Sequence, residues 1–188
     1  MVGRERIEET IDPEQAIDRA LETYLKKGYS EEWVHQRLLA IRIRNELTDE
    51  WKKRGVQKGK EYAILTDEIT RAWAGMNTRQ YKNLKGLRKE NLRDNMSDLE
   101  LVLTMLAEAS TTDIAKAEQP QGFDENQKIV RRGGNVAGVA RKALEVETGK
   151  PVVTAQNAES FRQLVTDIVT DAAQLPEQTE QYLKGECE

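Results

Sequence analysis

Ser30-Glu-Glu-Trp-Val-His-Gln-Arg-Leu-Leu-Ala-Ile-Arg-Ile-Arg-Asn-Glu-Leu-Thr-Asp-Glu-Trp-Lys-Lys-Arg54 is the stretch that decides the fold. Ser30 has the short hydroxyl of an N-cap, and Glu31 and Glu32 complement the positive end of a helix. Trp33, Val34, Leu38, Ile41 and Leu47 recur at helical spacing, and Lys52, Lys53 and Arg54 suit the negative end before Gly55. A long, capped, one-sided helix is therefore predicted here. Arg37, Arg42 and Arg44 interleave with its apolar stripe and are expected in solvent or paired with neighbouring acids.

The same signals extend in both directions. Upstream, Asp12-Pro13 reads as a cap and first helical residue, with Ile17, Ala20, Leu21, Tyr24 and Leu25 as the apolar stripe and Gly28 as the stop. The predicted helices 13–27 and 30–54 are separated by one short turn, which implies an N-terminal helical hairpin. Downstream, residues 55–60 form a connector rich in glycine and lysine, and Tyr62–Leu65 is compatible with either an extended or a helical run. Thr66 or Asp67 is expected to cap a short helix ending at Gly75, and Thr78 another ending at Gly86.

Ser97-Asp-Leu-Glu100 has the spacing of a capping box and opens an apolar helix predicted over 97–118. Asp124–Gln127 reads as the cap of a helix over 124–147 that contains Gly133, Gly134 and Gly138. Each glycine costs a helix roughly 1 kcal/mol relative to alanine, so the cluster implies either close packing of a neighbour or a break at Gly133-Gly134. Val152 and Val153 read as a short extended link. A last helix over 158–173 carries Phe161, Leu164, Val165, Ile168 and Val169, and docks on this chain or exchanges with a second copy. The expected architecture is an all-α multi-helix bundle. It occupies residues 1–175 as one domain, with a potential division into 1–95 and 96–175, and 176–188 form a flexible tail.

Composition agrees. Hydrophobic residues make up 38% of the 188 residues and charged ones 33%, while aromatics reach only 5% and prolines number four. The core must then be built largely from aliphatic side chains on helices with wide solvated faces. A net charge of −4 argues against a generally basic nucleic-acid binder but not against a local basic patch. The single cysteine, Cys187, excludes an internal disulfide and a cysteine-based zinc cage. No apolar run suits a bilayer span, no membrane partner is expected, and the cytoplasm is the expected location.

No catalytic constellation emerges. His35 is the single histidine, so nucleophilic triads and metal cages built on histidine lack partners, and it is expected to be a surface or packing residue. Arg132-Gly-Gly-Asn-Val-Ala-Gly138 lacks the Gly-Lys-Ser/Thr ending of a phosphate loop and is expected to pack rather than bind. Neither a cofactor nor a metal site nor an enzymatic activity is implied.

The most distinctive segment is Arg79–Arg93, with six basic residues and one acid. Thr66–Met76, a turn at Gly75-Met-Asn77 and the helix from Thr78 are arranged as in a helix-turn-helix. Tyr81 is expected to be exposed there. Tyr81, Lys82, Lys85, Arg88, Lys89 and Arg93 are the candidate contact residues, for a protein partner first and for nucleic-acid phosphates as the alternative.

Several short stretches carry a resemblance. Gly3-Arg-Glu-Arg-Ile-Glu-Glu8, Tyr24-Leu-Lys-Lys-Gly-Tyr-Ser30, Arg44-Asn-Glu-Leu-Thr-Asp-Glu-Trp51, Tyr81-Lys-Asn-Leu-Lys-Gly-Leu87, Ala107-Glu-Ala-Ser-Thr111 and Thr148-Gly-Lys-Pro-Val-Val153 are among them. Over most of residues 1–160 the chain resembles the region that follows the N-terminal BRO domain in BRO-family phage antirepressors and in DNA-damage-inducible protein D. The resemblance places residue 1 about where that BRO domain ends, so DNA binding by the BRO domain is not carried over. It implies a non-catalytic regulatory role in a prophage or SOS setting, exerted through contact with a phage repressor or a recombinase-like filament. The glycine cluster and the last helix add the expectation of a homodimer.

Overall fold

Ser30 and Ser97 do open helices as their side chains dictate, and the rest of the fold follows from what those helices bury. The computed structural model describes residues 13–158, with side chains from Asp18 onward. Asp12, the helix expected beyond Ala158 and the tail at 176–188 lie outside the described residues. The described chain is all-α: α1 Pro13–Lys26, α2 Glu31–Lys53, α3 Lys60–Ala74, α4 Thr78–Leu84, α5 Asp98–Glu118 and α6 Gly122–Thr148. A 3-10 turn at Leu92–Asn95 precedes α5, and no strand occurs among the described residues.

α1 and α2 pack against each other across the turn closed by Gly28, which has φ of 91°. Their junction is aromatic. Tyr29 stacks on Trp33 at 4.1 Å, and Tyr24 meets both rings edge-on. Ser30 Oγ accepts the Trp33 N–H, satisfying one of the orphan donors at the start of α2.

α5 and α6 form the centre, with α2 packed on α5 and α3 packed on α6. Leu47 and Trp51 of α2, Leu65, Ile69 and Trp73 of α3, Leu101 and Ala107 of α5, and Val130 and Ala137 of α6 share one core. Full burial of such aliphatic and aromatic side chains is worth about 1.5–3 kcal/mol each. Elements from both sides of residue 95 thus contribute to the same apolar cluster.

α5 also buries polar groups. Thr104, Thr111 and Thr112 each donate a hydroxyl hydrogen bond to the carbonyl four residues earlier, at 2.8, 2.7 and 3.0 Å. Their burial leaves no donor unsatisfied.

The glycines explain how α6 fits between its neighbours. α6 runs unbroken through Gly133 and Gly134, so the alternative of a break there is not what the chain adopts. A Cβ at Gly133 would lie 2.6 Å from Thr111 Cα, one at Gly134 would lie 2.7 Å from Ala72 Cβ, and one at Gly138 would lie 2.7 Å from the Ala72 carbonyl oxygen. Close approach on both sides, to α5 and α3, is what the cluster provides.

Two boundaries differ from expectation. α3 begins at Lys60 rather than near Thr66, because Gly59 supplies the N-cap position with no side-chain hydrogen bond and so leaves no residue signature. α6 begins at Gly122, two residues before the acidic cluster. Beyond α6, Gly149 ends the helix in the left-handed region and the chain returns over the bundle, with Val152 buried and Ala158 N–H donating to the Asn95 carbonyl at 3.2 Å.

Candidate functional site

The basic segment sits where α4 and the 3-10 turn cross the edges of α3 and α5. Asn77, not Thr78, is the N-cap of α4, in a capping box with Gln80. Tyr81 then falls one turn in and Lys85 a further turn on, on a shared face. That face points inward.

Tyr81, expected at the surface, is fully buried and packs edge-on against Trp73 at 5.9 Å. Its hydroxyl donates to Glu100 Oε1 at 2.7 Å. Burial, and then the Glu100 charge, push the phenol well above its usual range. Lys85 is only 3% exposed, with Nζ 2.9 Å from Glu100 Oε2 and donating also to the Gln156 carbonyl. Glu100 Oε2 is at the same time the capping-box acceptor of the Ser97 N–H at 2.7 Å. Two of the six candidate contact residues are therefore structural, because Glu100 in the core demands partners.

Arg93 is committed too. It and Arg44 both donate to Glu108 Oε1, and Arg44 also reaches Thr66 Oγ1. Glu108 Oε2 is buried without a partner among the described residues. Burial lowers the Arg44 pKa from its ordinary value. Nearby, Arg37 pairs with Asp94 at 2.8 Å, and Asp94 also takes the Tyr24 hydroxyl at 3.1 Å. Arg37 and Arg44 thus bridge to acids far along the chain rather than to sequence neighbours.

Lys82, Arg88 and Lys89 remain accessible. Glu90 is the one acid among them. Its carboxylate accepts backbone N–H groups of Arg88 at 2.7 Å and Lys89 at 2.9 Å, and backbone hydrogen bonding holds its pKa below the usual carboxylate value. Lys82, Lys89 and Arg93 line a cleft of about 400 Å³ together with Thr66, Thr70 and Thr104. The cleft is a place where sequence reasoning had only the basic half. The threonines lie on α3 and α5, and nothing in their spacing signals that they meet the lysines.

α3, the turn at residues 75–77 and α4 keep the order of a helix-turn-helix, with the Thr78 N–H held by Asp67 Oδ1 at 2.8 Å. α4 has only seven residues and commits Tyr81 to the core.

Elsewhere the surface carries apolar residues in register. Leu99, Val102 and Leu106 form one exposed line on α5. Val136, Val139 and Val146 form another on α6, with Val139 60% and Val146 80% exposed. Residues three, four and seven apart share a helix face, so each line is a continuous stripe. His35 lies on the surface of α2, 3.6 Å from Glu31. Among the described residues no cluster of His, Cys, Asp and Glu is arranged to hold a metal, and no helix is long and apolar enough to cross a membrane.

Comparison with known protein families, with curated proteins and with solved structures finds no match to this chain.

Proposed function

We propose that this chain is a non-catalytic regulatory interaction domain that acts by binding a protein partner in fixed proportion. The observation that carries the reading is the pair of exposed apolar stripes, Leu99–Val102–Leu106 and Val136–Val139–Val146, on the two central helices. Apolar residues scattered singly need no explanation, whereas aligned ones on a helix face suit contact with another protein. The resemblance to the antirepressor and damage-inducible families supplies the class of partner, a phage repressor or a recombinase-like filament. The glycine face is occupied within the chain, so it is not available to a homodimer, whereas the two stripes are.

The test is affinity capture from cells treated with a DNA-damaging agent, comparing the native chain with Val102→Asp and Val139→Asp. Recovery of a repressor or recombinase by the native chain alone is expected. Recovery of neither by the native chain overturns the reading.

Direct nucleic-acid contact is the second reading. It loses Lys85 to the core, shares Arg93 with Glu108, and retains Arg79, Lys82, Arg88 and Lys89 as cations outside any ion pair among the described residues. A gel shift at low salt that collapses as salt is raised would favour it, and no shift at low salt removes it.

A further inference from the structure

The cleft beside α4 is electrostatically unbalanced. Its lining cations are Lys82, Lys89 and Arg93, and its lining acid is Glu90. Behind Arg93 stands Glu108, shared with Arg44. Four cations thus face two carboxylates, and the Glu90 carboxylate already accepts two backbone N–H groups of its own turn. Neither Lys82 nor Lys89 is held in an ion pair among the described residues, although Lys82 is near enough to Glu90 to lower its pKa. Lys82 and Lys89, outside any ion pair among the described residues, and Arg93, fixed by Glu108, line one concave space, an arrangement that favours a multivalent oxyanion.

The remaining lining has the opposite hydrogen-bonding character. Thr70 donates its hydroxyl proton to the Thr66 carbonyl at 3.0 Å, and Thr104 donates to the Glu100 carbonyl at 2.8 Å. With those protons committed, the two hydroxyl oxygens act as acceptors. Such acceptors repel an oxyanion and suit ligand O–H or N–H groups. The volume of about 400 Å³ exceeds the needs of a bare inorganic ion and lies within the range of small-molecule sites.

We propose that this cleft binds a small hydroxylated phosphate ester, its phosphate on Lys82, Lys89 and Arg93 and its hydroxyl groups donating to Thr70 and Thr104. The site goes beyond the protein-contact reading and stands or falls apart from it, since neither apolar stripe contributes to its lining.

Calorimetric titration of the full chain in low-salt buffer tests it, with ribose 5-phosphate, inorganic phosphate and ribose as probes. Ribose 5-phosphate is expected to bind, inorganic phosphate to bind more weakly and ribose not at all, with affinity falling as salt is added. Lys82→Ala/Lys89→Ala should weaken ribose 5-phosphate binding at least about tenfold. Thr70→Val should erase the advantage of the sugar phosphate over inorganic phosphate. Lys142→Ala, an exposed change on α6 away from the lining, should leave binding unchanged. Near-UV circular dichroism confirms that each variant keeps its tertiary packing. Absence of binding by both phosphate compounds overturns the proposal, as does equal affinity for the two. Binding by the lysine double variant that matches the native chain overturns it as well. Binding of duplex DNA without binding of ribose 5-phosphate overturns it in favour of a nucleic-acid backbone.

Discussion

Lys85 Nζ lies 2.9 Å from Glu100 Oε2, with both side chains sealed from solvent. The pair joins the end of α4 to the first turn of α5, and Tyr81 completes it from the α4 side. Removing one member of a buried pair strands the other charge, which typically costs about 3–5 kcal/mol. Lys85→Met should therefore lower unfolding stability by that amount in urea titration. Lys85→Met combined with Glu100→Met should recover only part of the loss, because it also leaves the Tyr81 hydroxyl and the Ser97 N–H without their acceptor. A single-variant loss below about 1 kcal/mol would contradict the burial described for the pair.

Tyr81 makes stability depend on alkaline pH. Its folded pKa is raised above the ordinary 10.0 by burial and by the Glu100 charge. Above that pH the unfolded chain releases the phenolic proton and the folded chain retains it, so the unfolded state binds fewer protons and stability falls as pH rises. The contribution is complete below pH 10 and lost progressively above it. Tyr81→Phe should flatten the alkaline arm of a stability–pH profile, at the price of about 1.5–3 kcal/mol near neutrality from the lost hydrogen bond to a charged acceptor. An unchanged alkaline arm would assign the dependence to other groups.

Gly133→Ala and Gly138→Ala set two effects in opposition. Helix propensity favours alanine by about 1 kcal/mol. The added Cβ meets backbone atoms of Thr111 in the first case and the Ala72 carbonyl in the second, neither of which can turn aside. Overpacking of this kind costs about 1–3 kcal/mol, and backbone obstacles place these sites at the upper end. Both variants should melt below the native chain, and a rise in melting temperature for either would show that α6 can move away.

Val139→Asp separates surface from core. Val139 is 60% exposed, so the change should alter stability by no more than about 0.5 kcal/mol. Partner capture should nonetheless be lost. If the variant unfolds at markedly lower urea, the α6 stripe serves the fold rather than an interface.

Much of the helical framework was legible because its signals are local. Ser97 and Glu100 are three residues apart, and the box they announce is present in both its hydrogen bonds. Gly28, Gly75 and Gly149 stop helices where their positive φ values permit. The start of α3 at Lys60 carries no such local signal, because Gly59 caps through position alone.

The site was legible only in part, since its partners are distant in sequence. A dense run of charge reads as solvated surface, yet Lys85 is satisfied by Glu100 and by a carbonyl at Gln156, and Arg44 by Glu108. The i, i+4 spacing of Tyr81 and Lys85 was visible, but the apolar face it joins belongs to Trp73. Likewise the glycines announced a close neighbour without saying that Ala72 and Thr111 were the neighbours.

The segment after α6 bears on how far the protein can be shortened. Helical structure stops at Thr148, an inviting place to truncate. Thr154 N–H lies 3.4 Å from Glu100 Oε1, the Gln156 carbonyl takes the Lys85 ammonium, and the Asn157 amide donates to the Lys85 carbonyl at 3.4 Å. A fragment cut at Thr148 would admit water to one side of a charge pair that the intact chain keeps dry. The packing around that pair therefore extends to Asn157, nine residues past the last turn of α6, and a fragment that keeps the pair dry has to include those residues.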